Sequence, residues 1–236
     1  MRYICFFFLL MAVSAGFAAE ITGTVLIKGP LRGDVIAGYV AMTSRDECID
    51  NIASITIGGG GAVSATCTTY KPRSSSISWE PKKGLSFRHT ALPTGRYLIY
   101  LKYCERYLDW KIVEIEEAKT SLKTTLEINL EQASTLQFDI TKGAGRYRIC
   151  LIPLTDNGRA PLSGADLSFG MGFPIKVDAQ GNTFFFPQIK AGQYSVILER
   201  AESCGTRATG ITTSYTNLGT WTIVVKDGTA VRYALP

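Results

Sequence analysis

An all-β protein built as two tandem antiparallel β-sandwiches is the fold this sequence predicts, and three observations carry it. Near the start, Ile21, Gly23, Val25 and Ile27 fall on one face of an extended segment, the period-two pattern of a half-buried strand. Later, the β-branched and aromatic runs Thr183 to Phe186 and Tyr194 to Leu198 alternate with the turn-forming clusters Asp178 to Asn182 and Lys190 to Gly192, which together predict a meander. Finally, Leu92-Pro93-Thr94-Gly95-Arg96-Tyr97 aligns without a gap on Ile189-Lys190-Ala191-Gly192-Gln193-Tyr194, and Phe87 then falls on Phe184. Helix signals are nearly absent. The one candidate, Val113 to Leu126, reads equally as strand, turn, strand.

Taken in order, residues 1–19 carry one early positive charge at Arg2, an apolar core from Tyr3 to Val13 and small residues at Gly16, Ala18 and Ala19. This is the pattern of a secretory signal peptide, because the apolar run is shorter than the about 20 residues that cross a bilayer. Glu20 to Lys28 is the first strand, Gly29 to Asp34 a turn and Val35 to Met42 the second strand. From Thr43 to Ser78 the pattern loosens. The run Gly58 to Gly61 is not followed by Gly-Lys-Ser/Thr, so it reads as a loop rather than a phosphate cradle. Ser54 to Ile57 and Val63 to Tyr70 form a hairpin around it. Leu85 to Leu101 and Leu92 to Tyr97 repeat the later stretch, and Trp110-Lys111-Ile112-Val113 matches Trp221-Thr222-Ile223-Val224. Thr124 to Leu130 and Ala230 to Leu235 are closing strands. The expected organisation is therefore a signal peptide at 1–19, a first sandwich at 20–132 and a second at 133–236, joined around Gln132 to Ser134.

The shared Gly-x-Tyr has a physical reason. Gly95 and Gly192 permit a turn at positive φ, while Tyr97 and Tyr194 bury a ring and tie the hydroxyl to nearby backbone, as a tyrosine corner does. Tyr97, Ile99 and Leu101 should face inward, like Tyr194, Val196 and Leu198. The second copy, through Gly164-Ala165-Asp166-Leu167, Asp178-Ala179-Gln180-Gly181 and Gly192-Gln193-Tyr194, resembles the carboxypeptidase regulatory-like (prealbumin-like) domain. The first copy is degenerate, lacking the Asp-x-x-Gly turn. The resemblance implies a prealbumin/Ig-like sandwich and, by analogy with envelope proteins of that kind, binding, adhesion or spacing rather than catalysis.

Export sets the cysteine chemistry. Cys5 leaves with the signal, and Cys48, Cys67, Cys104, Cys150 and Cys204 remain. Disulfides are the default in an oxidising compartment, and an odd count leaves one thiol free or shared between chains. Cys150 and Cys204 are alone in the second half and are expected to pair. Three cysteines compete in the first half; the hairpin favours Cys48 with Cys67, leaving Cys104 as a free or intermolecular thiol. The net charge of +5 is mild, and with export it argues against a nucleic-acid partner. No later apolar run is long enough to span a membrane.

His89 is the only histidine, so any Ser-His-Asp or Cys-His device has to use it, and no Gly-x-Ser-x-Gly elbow accompanies it. The repeat places it on Phe186, a half-buried packing position. One histidine and disulfide-prone cysteines do not make a zinc site, and Asp46-Glu47 with Asp50, or Asp178 with Asn182, are acidic groups expected in turns rather than calcium ligands. No cofactor or metal is implied. Between Tyr70 and Arg106, basic residues outnumber acidic ones and aromatic residues intervene. If one edge gathers them, Trp79, Lys82, Lys83, Arg96 and Tyr100 form a cationic face with aromatic platforms for an anionic envelope glycan or an acidic partner protein. Such sandwiches also resemble Cna B-type surface domains, whose Lys-Asn isopeptide bond would join Lys28 and Asn129. Leu101 stands where the assisting Glu is needed. The sequence thus reads as a secreted or periplasmic non-enzymatic binding module, with a structural spacer or accessory subunit of an envelope complex as the alternative.

Overall fold

The computed structural model describes residues 19–42, 51–58, 63–67, 74–80, 83–117, 121–143, 145–162, 173–202, 205–207, 210–212 and 214–236. Its elements are β1 (Ala19–Lys28), β2 (Gly33–Ala41), β3 (Asn51–Ile57), β4 (Val63–Cys67), β5 (Ser74–Glu80), β6 (Gly84–Leu92), β7 (Gly95–Tyr103), β8 (Tyr107–Ile115) and β9 (Ser121–Asn129). They continue as β10 (Ser134–Ile140), β11 (Gly145–Pro153), β12 (Ile175–Gly181), β13 (Thr183–Ile189), β14 (Gly192–Ala201), β15 (Gly205–Arg207), β16 (Gly210–Thr212), β17 (Tyr215–Val225) and β18 (Ala230–Leu235). Among the described residues there is no helix, and the 113–126 segment is strand, turn, strand. The expected signal segment lies outside the described residues except for Ala19, which begins β1.

The sheets pack in pairs. The order β5-β6-β1-β9 faces β4-β3-β2-β7-β8, and the order β13-β10-β18 faces β12-β11-β14-β17. Period-two patterning decides which residues meet: Ile21, Val25, Leu85 and Phe87 from one sheet join Val35, Ala37, Tyr39, Ile99 and Leu101 from the other in the first core. Leu136, Phe138, Phe184 and Phe186 meet Tyr147, Ile149, Leu151, Val196 and Leu198 in the second. Burying a side chain of this size contributes about 1.5–3 kcal/mol.

The two halves share registers in detail. Ile21 stands opposite His89 and Leu136 opposite Phe186, each beside a bulge. Ala41 stands opposite Tyr97, and Pro153 opposite Tyr194. Three expectations need correction. The sheets are not wholly antiparallel, because β9 runs parallel to β1 and β18 parallel to β10. The 178–198 stretch is not a meander: β12 and β14 share a sheet while β13 lies in the other, since the chain crosses between layers at each turn. The tryptophans are not equivalent either. Gly95 pairs with Ile115 and Gly192 with Val225, one residue off the Trp110 to Trp221 match. A one-residue slip reverses the face. Trp110, opposite Tyr100, therefore points out of its sandwich, while Trp221, opposite Val196, points in.

Outward-pointing residues of β2, β7 and β8 are themselves buried. Val40, Leu98, Tyr100 and Leu108 belong to one apolar cluster with Cys150, Ile152 and Phe173 of the second half. Phe173 is the wedge, edge-on to Tyr100 at 5.8 Å and to Trp110 at 5.9 Å between centroids. Gly38 makes room, since a Cβ there would lie 2.4 Å from Tyr100 Cζ. Lys102, 3 % exposed, donates across the seam to the Pro174 carbonyl at 3.0 Å, and Lys190 is ion-paired with Asp109. The two sandwiches are thus joined by a packed seam as well as by the short connection at Gln132, whose carbonyl accepts from Gly228 N at 3.0 Å.

Candidate functional site

The outer face of the sheet β5-β6-β1-β9 carries a different chemistry from the seam. Register places Ser76, Arg88, Thr22 and Lys123 in one row across the four strands, and Ser78, Ser86, Thr24 and Thr125 in a second. Between them the row of Ile77, Phe87, Gly23 and Thr124 turns its side chains the other way, so the rows bound an open trough of about 750 Å³ that Lys111 of β8 also reaches. The volume lies within the range of small-ligand sites. Hydroxyls pair along the rows, Ser78 with Ser86 at 2.9 Å and Thr24 with Thr125 at 3.4 Å. Each keeps spare donor or acceptor capacity. Arg88 is ion-paired with Glu20 at 2.5 Å. Lys111 and Lys123 are exposed, and among the described residues neither has an ion-pair partner.

His89 lies on the opposite side of the same sheet. It is 0 % exposed, deeper than the half-buried position expected. Its Nδ1 is 2.8 Å from Ser75 Oγ, its ring lies 4.9 Å from Tyr39 and 5.4 Å from Phe87, and Nε2 has no hydrogen-bond partner among the described residues. Burial pushes its pKa down to about 3. A neutral ring sealed in a core has no path to a substrate.

The residues expected to form a binding face are not brought together. Trp79 packs against the first core, on the inward side of β5 with Ser75 and Ile77. Lys83 is exposed and bonded to Glu80 at 2.8 Å, which raises its pKa. Arg96 is on the other sheet of the sandwich, opposite Glu114. Tyr100 is 0 % exposed in the seam, so the aromatic platform proposed there is corrected to a packing residue. Lys82 lies outside the described residues. Aromatic residues between the basic ones follow the inward or seam period of their strands, which is why Tyr103 and Tyr107 are buried too.

Of the cysteines, Cys48 and Cys204 lie outside the described residues. Cys67 ends β4 opposite Ala53. Cys150 carries a free, buried thiol, pushed up to about 11 by burial, and its expected partner Cys204 lies outside the described residues. Cys104 is also free and half-buried, in the turn between β7 and β8 at φ 47°, with Sγ 3.7 Å from the Arg32 carbonyl. The Lys28 ammonium is paired with Glu127 at 2.8 Å, and Asn129 donates to Gln132 at 2.7 Å, so the two are engaged elsewhere. Asp178 lies within β12, not in a turn, and takes a two-pronged contact from Arg148 at 2.7 and 3.0 Å.

The trough residues had a sequence signal in the alternations Thr22-x-Thr24 and Ser76-x-Ser78. What the sequence did not contain was the register that lines them up across four strands.

No family model matches the chain, and no curated protein matches it. Among solved structures, the chain is similar to the major pilin subunit of Bacillus cereus at 11% identity and TM-score 0.29, over 92% of this chain and 69% of that one. It is similar to a putative cell adhesion protein from Bacteroides ovatus at 10% identity and TM-score 0.26, over 92% and 90%. A leucine-rich repeat protein from Bacteroides thetaiotaomicron matches at 10% identity and TM-score 0.27, over 93% of this chain and 26% of that one. The chain spans about a quarter to a third of the length of the first two structures matched, 26% and 33% of them.

Proposed function

We propose that this chain is a non-enzymatic binding and adhesion module of the cell envelope, made of two prealbumin-like sandwich domains dividing at residues 132/133 and acting as one stiff body. Its ligand is an anionic envelope glycan or a protein partner. The observation that carries this reading is the seam: Tyr100, Trp110 and Phe173 bury aromatic surface between the sandwiches where independent domains would keep it covered by polar groups. Stiff coupling suits a part that holds a partner at a fixed distance. The sealed, neutral His89 favours recognition over acid–base work. A spacer or accessory subunit is the second reading, favoured by the partly exposed Cys104 thiol as a point for linking chains.

The test incubates the purified chain with envelope material from a bacterial source. Retention on that material without release of reducing ends or peptides is expected. Product release above the blank, or no retention at all, contradicts the reading.

A further inference from the structure

We propose that the trough across β5, β6, β1 and β9 is a binding site for an acidic polysaccharide, one bearing carboxylate or sulfate groups, held by Lys111 and Lys123 over rows of hydroxyls. The inference rests on the binding-module reading above and gives it a site and a ligand class.

Geometry sets the shape of the ligand. The two rows stand two residues apart along each strand, about 7 Å centre to centre, and three inter-strand steps make them roughly 14 Å long. The trough runs perpendicular to the strands. At its centre the inward-facing row leaves backbone as the floor, and on the core side the Phe87 ring fills the place a Gly23 Cβ would take. An extended polar chain can lie along the two rows and meet both sets of hydroxyls.

Chemistry sets the class. Hydroxyls of Thr22, Thr24, Ser76, Ser78, Ser86 and Thr125 both donate and accept, which matches the hydroxyls of a sugar chain. The charge in the trough is uneven: Arg88 is neutralised by Glu20, while Lys111 and Lys123 at the β9 end have no described counter-ion. A regularly spaced anion on the ligand supplies what that end lacks, by charge complementarity. Other polymers fit less well. Among the described residues no exposed aromatic ring lines the trough for a base to stack on, which disfavours single-stranded nucleic acid. The strands beneath are already paired, so a peptide gains no backbone hydrogen bonds by lying across them.

The experiment measures binding of the full chain to polygalacturonate, dextran sulfate, neutral dextran and single-stranded DNA by calorimetry at low salt. Polygalacturonate or dextran sulfate should bind, the pair reporting which anion is preferred, and neutral dextran should not. Lys111→Gln with Lys123→Gln should weaken binding by about tenfold or more, equivalent to about 1.4 kcal/mol. Both lysines are exposed, so an unchanged melting temperature verifies the fold of that variant. Thr24→Val with Ser78→Ala should weaken it further, while Lys83→Gln and Arg96→Gln, outside the trough, should bind as the parent does. Equal binding of neutral dextran, equal binding of DNA, or full affinity in the lysine variant overturns the inference. Full affinity in that variant leaves the binding-module reading standing; failure to be retained on any envelope material removes that reading instead.

Discussion

At one place in the two sandwiches, opposite Ile21 in the first and Leu136 in the second, stand His89 and Phe186. Phe186 packs edge-on against Phe138 at 5.6 Å, a purely apolar solution. His89 is equally buried but is tied to Ser75 of β5, a strand with no counterpart among the described residues of the sheet β13-β10-β18. The difference teaches what the polar pair is for. A one-residue slip of β5 turns Ser75 outward and leaves a buried imidazole without its partner, which a low-dielectric core penalises. The pair therefore fixes the register of β5. Its neighbour Ser76, pointing the opposite way along the same strand, is then fixed in the trough beside Arg88. The histidine acts on the surface through the strand it anchors.

The largest effect expected from breaking this contrast is on acid stability. With its pKa near 3 in the fold and about 6.5 unfolded, His89 binds its proton mainly in the unfolded chain between those values. Its contribution is fully present above pH 6.5 and is lost as pH falls towards 3, by about 5 kcal/mol in all. His89→Phe, which installs the residue of the second sandwich, removes that loss. Denaturant unfolding at pH 7 and pH 4 should show a smaller acid penalty in the variant than in the parent. The same penalty in both contradicts the account of His89.

A smaller effect tests what the sandwiches share. Tyr97 donates to the Pro93 carbonyl and Tyr194 to the Lys190 carbonyl, both at 2.7 Å and both four residues back. Gly95 and Gly192, two residues before each, sit at φ 150° and 152°. Tyr97→Phe and Tyr194→Phe each remove one such bond and should each cost about 1–2 kcal/mol in chemical denaturation. A clear inequality between them would show that the two corners are not equivalent.

These corners were legible in the sequence because a Gly-x-Tyr motif is local: turn, ring and acceptor lie within five residues. Strand spans such as Ala230–Leu235 were legible for the same reason, each strand carrying its own alternation. Relations between distant strands were not. The parallel pairing of β1 with β9 and the one-residue offset of the tryptophans depend on how the chain crosses between layers. Tyr100 shows the cost for the candidate site. Its flanking lysine and arginine residues look like a surface, yet its own face of β7 is covered by Phe173, some 70 residues away in sequence, as order-of-magnitude loop-closure arguments permit. The hydroxyl trough was hidden in the same way, with each strand supplying only one side chain to each row.

The seam is the central claim, and differential scanning calorimetry of the full chain tests it most directly. The account predicts one cooperative transition, with calorimetric and van't Hoff enthalpies in agreement. Tyr100→Ala, which removes the ring between Gly38 and Phe173 at a cost of about 3–5 kcal/mol, should split it into two. Two resolved transitions in the parent protein, unaltered by Tyr100→Ala, would contradict the coupling of the sandwiches.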